Sequence, residues 1–246
     1  QAPTKMKQAD WTDPSAPVFS GGVATTTTEV LAEFTNYYTA LFARKDPEPA
    51  AAAKCYDALD NGRKVLKPTA KKCDAPIGSE ELEVVLGELP TGKSPGPDRL
   101  PNKFYKTHAQ DLSKFLAQVF NESHEKEALP DSCMQGLISV LYKKKDREDP
   151  RNYRPITLLN NDYKILMRIL TERMNEAAVQ FVSQEQGGFV PNAFIAENTM
   201  LLKLVQAFAR IHKPAAYLLF LDMEKAFDRC SWDYIHRALP ALGFDA

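Results

Sequence analysis

Residues 136–159 read GLISVLYKKKDREDPRNYRPITLL, and this stretch decides what kind of fold the chain can form. Residues 136–142 and 153–159 are rich in apolar, β-branched and aromatic side chains, which is typical of strands. The polar residues between them begin with three lysines and include Pro150, so they form a turn. The sequence therefore predicts an antiparallel β-hairpin with a basic tip.

On both sides of the hairpin, apolar residues recur at the three- and four-residue spacing of amphipathic helices. The patterns lie near residues 82–89, 104–120, 163–174, 195–211 and 232–242. Strands do not alternate regularly with these helices, as they would in βαβ units. The predicted fold class is therefore α+β, mostly helical, with one short antiparallel hairpin.

The first 75 residues differ in composition from the rest, since they contain a threonine run, an alanine run and many prolines. Only one helical pattern, near residues 29–43, stands out among them. We predict that residues 1–75 form a partly ordered N-terminal extension. Residues 76–214 form the body of the protein, and residues 215–246 begin a further part.

Charge and cysteine content narrow the functional classes. The chain has 31 Lys and Arg against 32 Asp and Glu, so any site for a polyanion must come from local clustering. The cysteines have neither C-x-x-C spacing nor nearby histidines at zinc-ligand spacing, which predicts free thiols in the nucleus or cytoplasm. No apolar run is long enough to cross a membrane, and no membrane partner is expected.

Asp222 stands directly after an apolar run, residues 216–221, that is typical of a buried strand. A carboxylate in that position is costly unless it is paired or binds a metal ion. Magnesium fits, because it prefers carboxylate oxygens and binds substrate phosphates at the same time. The alternative is an aspartate that caps the following turn, and spacing alone favours that alternative.

Basic residues cluster at the predicted hairpin tip. They are Lys143, Lys144, Lys145, Arg147, Arg151 and Arg154. Such a tip can bind a triphosphate, with lysine acting as a point charge and arginine as a bidentate donor. The acidic neighbours Asp146, Glu148 and Asp149 dilute the charge, and taken alone the cluster fits a solvated turn better.

Two loops carry glycine-rich motifs. Residues 91–97 (TGKSPGP) contain Gly-Lys-Ser. A phosphate-binding loop also needs a glycine five residues before the Gly-Lys pair and a strand ahead of it. The glycine at that position, Gly87, lies inside a helical pattern, so we exclude a phosphate-binding loop. Residues 186–191 (QGGFVP) allow close approach of the backbone, and Phe189 is able to stack on a base. A helix-to-helix turn with Phe189 in the core is an equally good interpretation.

These signals occur in an order that resembles the reverse transcriptases of non-LTR (LINE-type) retrotransposons. The resemblance extends from about residue 75 to the C-terminus, and several blocks in the family's order are far more specific than any one block. The pair Tyr37 and Tyr38 also looks like the region just upstream in these proteins. The blocks are residues 89–98 (LPTGKSPGPD), 104–106 (FYK), 141–145 (LYKKK), 152–159 (NYRPITLL), 162–166 (DYKIL), 186–191 (QGGFVP) and 220–228 (FLDMEKAFD), the last resembling polymerase motif A.

The resemblance implies a fold and an activity. Residues 76–214 would be the fingers, and residues 215–246 would begin the palm with its first strand. The activity would be RNA-directed DNA synthesis, in which a primer 3′-hydroxyl attacks the α-phosphate of a deoxynucleoside triphosphate (dNTP). The implied partners are an RNA template, a DNA primer and dNTP, and the implied cofactor is Mg²⁺.

The resemblance also implies roles for individual residues. Asp222 would bind Mg²⁺, with the Met223 carbonyl nearby. Phe227 would crowd the sugar 2′ position and so favour deoxynucleotides. Lys144 and Arg154 would grip the incoming triphosphate. These roles rest on the matching motif positions and are expectations for this chain.

The loop around Phe189 fits the family less completely. Gln186 and Phe189 would lie near the template strand. The family's block usually continues Pro-Gly-Arg, whereas here Pro191 is followed by Asn192 and Ala193. Whatever that arginine does is absent or supplied elsewhere.

A later block of the family, an aromatic-x-Asp-Asp hairpin, is missing, since no Asp-Asp dipeptide occurs in the 246 residues. We therefore expect a segment of a longer polymerase that does not polymerise alone. One alternative is a non-catalytic nucleic-acid-binding module that kept a reverse-transcriptase-derived fold. A third, weaker interpretation is a scaffold whose basic hairpin contacts protein partners.

Overall fold

Helices predominate in the computed structural model, and the strands form two small antiparallel pairs, which confirms the predicted α+β class. None of the described helices is both long and apolar enough to cross a membrane. The structure describes residues 18–19, 22–23, 26–43, 48–147, 149–212, 217–223 and 225–244.

The N-terminal region begins with two short strands, β1 (Val18–Phe19) and β2 (Gly22–Val23), which pair with each other. Helix α1 (Thr27–Phe42) follows, in the region where the sequence predicts a helix. A capping box fixes its start. The Thr26 hydroxyl accepts a hydrogen bond from the Glu29 N–H (3.3 Å), and the Glu29 carboxylate accepts one from the Thr26 N–H (3.1 Å).

Two further helices in this region, α2 (Pro49–Asp60) and α3 (Lys67–Cys73), were not predicted. The prolines were interpreted as signs of weak order. Pro49 instead lies at the first position of α2 and Pro68 at the second position of α3, where the missing N–H has no intrahelical partner to lose. The N-terminal region is therefore more regular than its composition indicates.

The body of the protein starts with three helices, α4 (Ser79–Gly87), α5 (Asn102–Thr107) and α6 (Ala109–Glu125). Gly78 is the N-cap residue of α4, and carboxylates in the first turn suit the helix dipole. The single helical pattern near residues 104–120 forms two helices, because the chain turns at His108.

The predicted hairpin is present with the predicted bounds, as β3 (Gly136–Tyr142) and β4 (Tyr153–Leu159). The strands are antiparallel, and the register runs from Gly136 opposite Leu159 to Tyr142 opposite Tyr153. Pro155 lacks an N–H, but a two-stranded sheet leaves each strand one free edge, where a proline is tolerated.

Helix α7 (Asn161–Phe181) follows β4 and completes the main core with α4, α5 and α6. Its apolar stripe packs against α4 and joins the same buried cluster as α5 and α6, which excludes water from the centre of the body. The side chains with no exposed surface in this core are Leu82, Leu86, Ile165 and Ile169.

Arg173 of α7 ties the core to the segment between α3 and α4. Its guanidinium donates to both oxygens of Glu81 (2.6 and 2.9 Å) and to the carbonyls of Cys73 (3.1 Å) and Pro76 (3.2 Å). The hydrogen bonds to Glu81 raise the pKa of Arg173 above its usual value. Since the Arg173 side chain is only 10% exposed, this cluster is a buried anchor.

The last two helices are α8 (Ile195–His212) and α9 (Trp232–Ala241), close to their predicted positions. Helix α8 has no buried residue. Helix α9 ends in a Schellman motif, in which the Phe244 N–H donates to the Leu239 carbonyl (3.1 Å) and Gly243 takes φ +97°. This turn places Phe244 in a small core with Val65, Ala70 and Ala177.

Candidate functional site

Asp222 lies in a segment, residues 217–223, that has no regular secondary structure and is exposed. Leu219 is 80% exposed and Leu221 84% exposed. The prediction of a buried strand over residues 216–221 is therefore wrong from residue 217 onward, and Ala216 lies outside the described residues. A strand forms where a neighbour takes up its N–H and C=O groups, and no described segment pairs with this one.

A compact turn connects Asp222 to α9. The Arg229 N–H donates to the Lys225 carbonyl (3.1 Å), and Lys225 itself has φ +53°. That left-handed conformation costs about 1 kcal/mol for a residue other than glycine. Ser231 then caps α9, because its hydroxyl accepts from the Tyr234 N–H (3.4 Å).

Two aromatic residues with separately predicted roles come together beside this turn. The rings of Phe189 and Phe227 are 5.8 Å apart between centroids and nearly perpendicular, at 89°. Phe189 is 93% exposed and Phe227 82% exposed, so the interpretation of Phe189 as a core residue is wrong. The pair presents aromatic surface to solvent, which suits stacking on a base or packing on a sugar.

The loop that carries Phe189 is fixed to the start of α8. The Asn198 side-chain amide donates to the Glu185 carbonyl (3.0 Å), and a Cβ added at Gly187 would lie 2.7 Å from the Asn198 amide nitrogen. Gln186 is exposed, and its amide donates to the Gly188 carbonyl (3.0 Å). A side chain at position 187 would displace the Asn198 amide and so weaken its hydrogen bond to the Glu185 carbonyl.

The basic hairpin tip is closed by its own residues. The Lys143 N–H donates to the Asn152 carbonyl (2.9 Å), and the Tyr142 hydroxyl donates to the Lys145 carbonyl (2.5 Å). Lys145 takes φ +78°, which turns the chain back toward β4. Glu148, one of the acidic residues expected to dilute the charge, lies outside the described residues.

The cations on this hairpin differ in how they are paired. Arg151 forms an ion pair with Asp149 (2.8 Å), and this hydrogen-bonded guanidinium holds the pKa of the Asp149 carboxyl below its usual value. Lys144 and Arg154 are exposed, and neither forms an ion pair within the described residues. Arg154 lies opposite Leu141 in the sheet, so its backbone is held by regular pairing.

Helix α1 contacts both the hairpin and the turn after Asp222. The Tyr38 hydroxyl donates to the Tyr153 carbonyl (3.4 Å), and the edge of Phe34 meets the Tyr153 ring at 5.0 Å. The Lys225 ammonium lies 4.5 Å from the centroid of the Tyr37 ring and 5.1 Å from that of Tyr38. Sequence reasoning noted the tyrosine pair but missed its partner, because the contact joins residues far apart in the chain.

A second cluster that the sequence did not reveal holds the loop at residues 91–98. Asn160, just after β4, accepts a hydrogen bond from the Asp98 N–H (3.1 Å) and donates one to the Ser132 carbonyl (2.9 Å). A Cβ added at Gly96 would lie 2.5 Å from the Asn160 backbone nitrogen. The loop is therefore a fixed structural connection to the end of the hairpin.

Within the part of the chain that the structure describes, no group of three or more His, Cys, Asp or Glu side chains is placed to hold a metal ion. The donors predicted from sequence are the Asp222 carboxylate and the Met223 carbonyl. Magnesium takes one or two protein carboxylates and completes its shell with water and substrate phosphates. These two donors fit part of a magnesium ligand set, and the described residues do not form a closed cage.

Comparison with known proteins shows similarity to reverse transcriptases. A sequence profile of the family "Reverse transcriptase (RNA-dependent DNA polymerase)" matches residues 142–246. The matched region contains Arg154, Phe189, Asp222 and Phe227. It therefore includes the hairpin tip and β4, the aromatic pair and the turn after Asp222.

Curated relatives give the same result. Over 209 residues the chain is 32% identical to the transposon TX1 uncharacterized 149 kDa protein of Xenopus laevis, covering 85% of this chain and 16% of that protein. Over 159 residues it is 30% identical to the probable RNA-directed DNA polymerase from transposon BS of Drosophila melanogaster, covering 63% and 17%. Over 181 residues it is 30% identical to a retrovirus-related Pol polyprotein from a type-1 retrotransposable element R2 of Popillia japonica, covering 69% and 23%.

The chain spans less than a quarter of the length of each of these relatives. The relatives are named for transposable elements, and two of the names state a polymerase or Pol polyprotein. The motif order, the hairpin and the comparisons agree. Residues 142–246 therefore match the reverse transcriptase family, and the chain is similar to RNA-directed DNA polymerases of non-LTR retrotransposons.

Proposed function

We propose that this chain forms the N-terminal extension, the fingers and the start of the palm of a longer RNA-directed DNA polymerase. The observation that carries the proposal is the family match over residues 142–246, which includes Asp222 and the aromatic pair Phe189 and Phe227. The extension is residues 1–75, the fingers are residues 76–214, and the palm starts at residue 215. The polymerase acts in the nucleus or cytoplasm, which suits the four free thiols.

The reaction is the transfer of a nucleotide to a primer. The primer 3′-hydroxyl attacks the α-phosphate of the dNTP, and pyrophosphate leaves. When bound, Mg²⁺ stabilises the charge that develops on the phosphate oxygens. The Asp222 carboxylate and the Met223 carbonyl are the groups of this chain that hold the ion.

Substrate binding uses the exposed cations and rings described above. Lys144 and Arg154 have no acidic partner among the described residues, so their charges are available to the triphosphate. Phe227 packs against the sugar at its 2′ position and excludes a hydroxyl there. Phe189 and Gln186 contact the template strand, and the exposed Phe189 ring stacks on a base.

The exposed apolar segment at residues 217–223 supports the assignment of a palm. Its side chains are apolar enough for a strand but have no strand partner among the described residues. In this proposal the rest of the palm supplies the neighbouring strands and further carboxylates. We therefore infer that residues 1–246 alone do not polymerise, because two-metal transfer needs more acidic ligands than Asp222.

Primer extension tests the proposal. The full reading frame that encodes this chain is expressed, and DNA synthesis is measured on an RNA template with a DNA primer. We expect synthesis by the parent protein and only background synthesis by Asp222→Ala. Asp131→Ala, an exposed aspartate at the start of a short helix before β3, is the matched control and retains synthesis. Undiminished synthesis by Asp222→Ala overturns the assignment of Asp222 to the metal site. Absence of synthesis by the parent protein favours a non-catalytic nucleic-acid-binding module instead.

Salt-dependent RNA binding by the chain itself tests the basic site. Each phosphate contact that is lost lowers the slope of log affinity against log salt by about 0.7 for a single strand. We expect Lys144→Ala with Arg154→Ala to weaken RNA binding and reduce this slope. The control pair is Lys54→Ala with Lys71→Ala, two exposed lysines on α2 and α3. Unchanged binding by the first pair shows that the basic site is misplaced.

A further inference from the structure

The ammonium nitrogen of Lys225 is buried in a region where most side chains are exposed, although the residue as a whole is partly exposed. Its ammonium nitrogen has almost no accessible surface and no hydrogen-bond partner within the described residues. Asp222, Met223 and Phe227, on either side of it, are exposed. Burying an ammonium without hydrogen bonds is costly, so the contact that holds Lys225 must offset that cost.

The offsetting contact is a pair of aromatic faces on α1. The ammonium lies within 4.5 Å of the Tyr37 ring centroid and 5.1 Å of the Tyr38 ring centroid, inside the range of strong cation–π attraction. The two rings meet edge to face at 5.1 Å, so the ammonium faces two differently oriented rings. We call Tyr37 and Tyr38 the tyrosine cage.

The tyrosine cage is rigidly supported. Tyr38 stacks with Phe34 (6.4 Å) and Phe42 (5.7 Å) along α1. Its hydroxyl reaches the Tyr153 carbonyl, and Tyr153 is buried against Phe34. Tyr153 directly precedes Arg154 in β4. The cage therefore holds Lys225 at a fixed place relative to the hairpin that carries the proposed triphosphate ligand.

Lys225 controls the local chain because of its position and conformation. It lies three residues after Asp222 and two before Phe227, and its carbonyl accepts the hydrogen bond that closes the turn. Its φ of +53° is unfavourable for a lysine, so side-chain contacts must help to maintain it. Releasing the side chain would let the turn relax and move the Phe227 ring.

We propose that Lys225, held in the tyrosine cage of α1, is a positioning residue that orients Phe227 and so sets the discrimination between deoxynucleotides and ribonucleotides. This inference rests on the proposed polymerase function. It gives α1, a helix of the N-terminal extension, a defined part in substrate selection. Lys225 does not touch the nucleotide. It acts through the turn that carries Phe227.

The discrimination test uses the full reading frame and compares kcat/KM for dNTP with kcat/KM for the matching ribonucleotide. We expect Lys225→Met to lower the dNTP preference by about ten-fold, the scale of one well-formed cation–π contact. Lys225→Arg keeps a cation for the cage and retains most of the preference. We expect the double variant Tyr37→Leu with Tyr38→Leu to lower the dNTP preference as much as Lys225→Met does. Combining all three changes should lower it little further, because the double variant and Lys225→Met remove the same contact.

Tyr56→Leu is the matched control. It removes the cation–π contact between Tyr56 of α2 and Arg237 of α9, whose guanidinium carbon lies 3.9 Å from the ring centroid. A purely structural role for such contacts predicts that Tyr56→Leu and Lys225→Met lower stability alike and leave the nucleotide preference unchanged. An unchanged preference in Lys225→Met, with DNA synthesis intact, overturns the inference and leaves the proposed function standing.

A second measurement on the chain needs no enzymatic activity. The rate of lysine acetylation by an amine-reactive reagent is followed by peptide mass spectrometry. We expect Lys225 to react at least about ten-fold more slowly than the exposed Lys54, because its nitrogen is buried. Tyr37→Leu with Tyr38→Leu brings the two rates together. Equal rates in the unchanged chain overturn the cage, and a parent protein without DNA synthesis overturns the proposed function and this inference together.

Discussion

Helices α7 and α8 have similar lengths, 21 and 18 residues, and both carry an apolar stripe, yet their surroundings are opposite. Helix α7 buries Ile165, Ile169 and Ala177 completely. Helix α8 buries nothing, and its Leu204 and Phe208 are 65% and 59% exposed. The core around α7 is completed by the described residues, whereas no described residue covers the stripe of α8.

This difference shows that a sequence can predict a helix without specifying which part of the protein covers it. An apolar stripe predicts a helix, and it says only that something must cover one face of that helix. For α7 the covering helices, α3 and α4, are part of the described chain. For α8 and the exposed segment at residues 217–223, we propose that the cover is the rest of the palm.

Hydrogen exchange gives the largest expected contrast between the two helices. Amides in the buried half of α7 exchange only when the core opens, which predicts protection of about a thousand-fold or more. An unpacked helix of this length is marginal in water, so α8 amides should show about ten-fold protection or less. Equal protection in both helices would mean that α8 has a partner in solution.

A matched leucine pair gives the next largest effect. Leu86 of α4 has no exposed surface, and Leu204 of α8 is 65% exposed. Leu86→Ala should lower the free energy of unfolding by about 2–5 kcal/mol, because it leaves a cavity in the core. Leu204→Ala should change it by about 0.5 kcal/mol or less. Urea denaturation of the chain measures both, and similar losses would contradict the contrast.

A matched arginine pair in α7 sharpens the comparison within the core region. Arg173 is held by Glu81 and backbone carbonyls and is 10% exposed, while Arg168, which pairs with Glu88 and Glu172, is 30% exposed. Arg173→Met should cost about 3 kcal/mol, because it leaves buried acceptors without donors. Arg168→Met should cost about 1 kcal/mol or less. Thermal or urea unfolding of the two variants measures both losses in unfolding free energy, and a larger loss in Arg168→Met would contradict the prediction.

Titration of Tyr38 gives the smallest predicted effect. Burial, followed by the nearby Tyr37 and Asp228, raises the pKa of Tyr38 from 10.0 to about 12. Between these values the unfolded chain releases the proton and the folded chain retains it. The stabilisation is therefore fully present below pH 10 and is lost as the pH rises through 12.

Substitution of Tyr38 by phenylalanine isolates that contribution. The difference in unfolding free energy between the unchanged chain and Tyr38→Phe should shrink as the pH rises from 10 to 12. Denaturant unfolding at a series of pH values measures it. A difference that is independent of pH would show that the Tyr38 hydroxyl is not buried against Tyr153 as described.

The sequence predicted the elements whose signal is local. The hairpin bounds, α7 and α8 follow from periodicity and β-branched residues within each segment. Helices α2 and α3 were missed because Pro49 and Pro68 look like breakers until their place in a first turn is known. The strand at residues 216–221 was predicted wrongly, since strand pairing depends on a neighbour that the segment itself does not specify.

In the candidate site, too, some features could be predicted from the sequence and others could not. The resemblance to reverse transcriptases made Asp222, Phe227 and Phe189 candidate site residues, and the structure adds that the two rings touch. The hold of Tyr37 and Tyr38 on Lys225 could not be predicted, because it joins α1 to a turn near the other end of the chain. Distant contacts of this kind need three-dimensional information.

If Asp222 holds the catalytic metal, as we propose, a change in its ligand chemistry should change which ion supports synthesis. Asp222→Cys replaces a hard oxygen donor by a softer thiolate, which binds Mg²⁺ poorly but accepts softer ions. Primer extension by the full reading frame is measured with Mg²⁺ and with Mn²⁺. We expect background synthesis with Mg²⁺ and partial recovery with Mn²⁺. Synthesis at the parent level with Mg²⁺ would contradict the proposal.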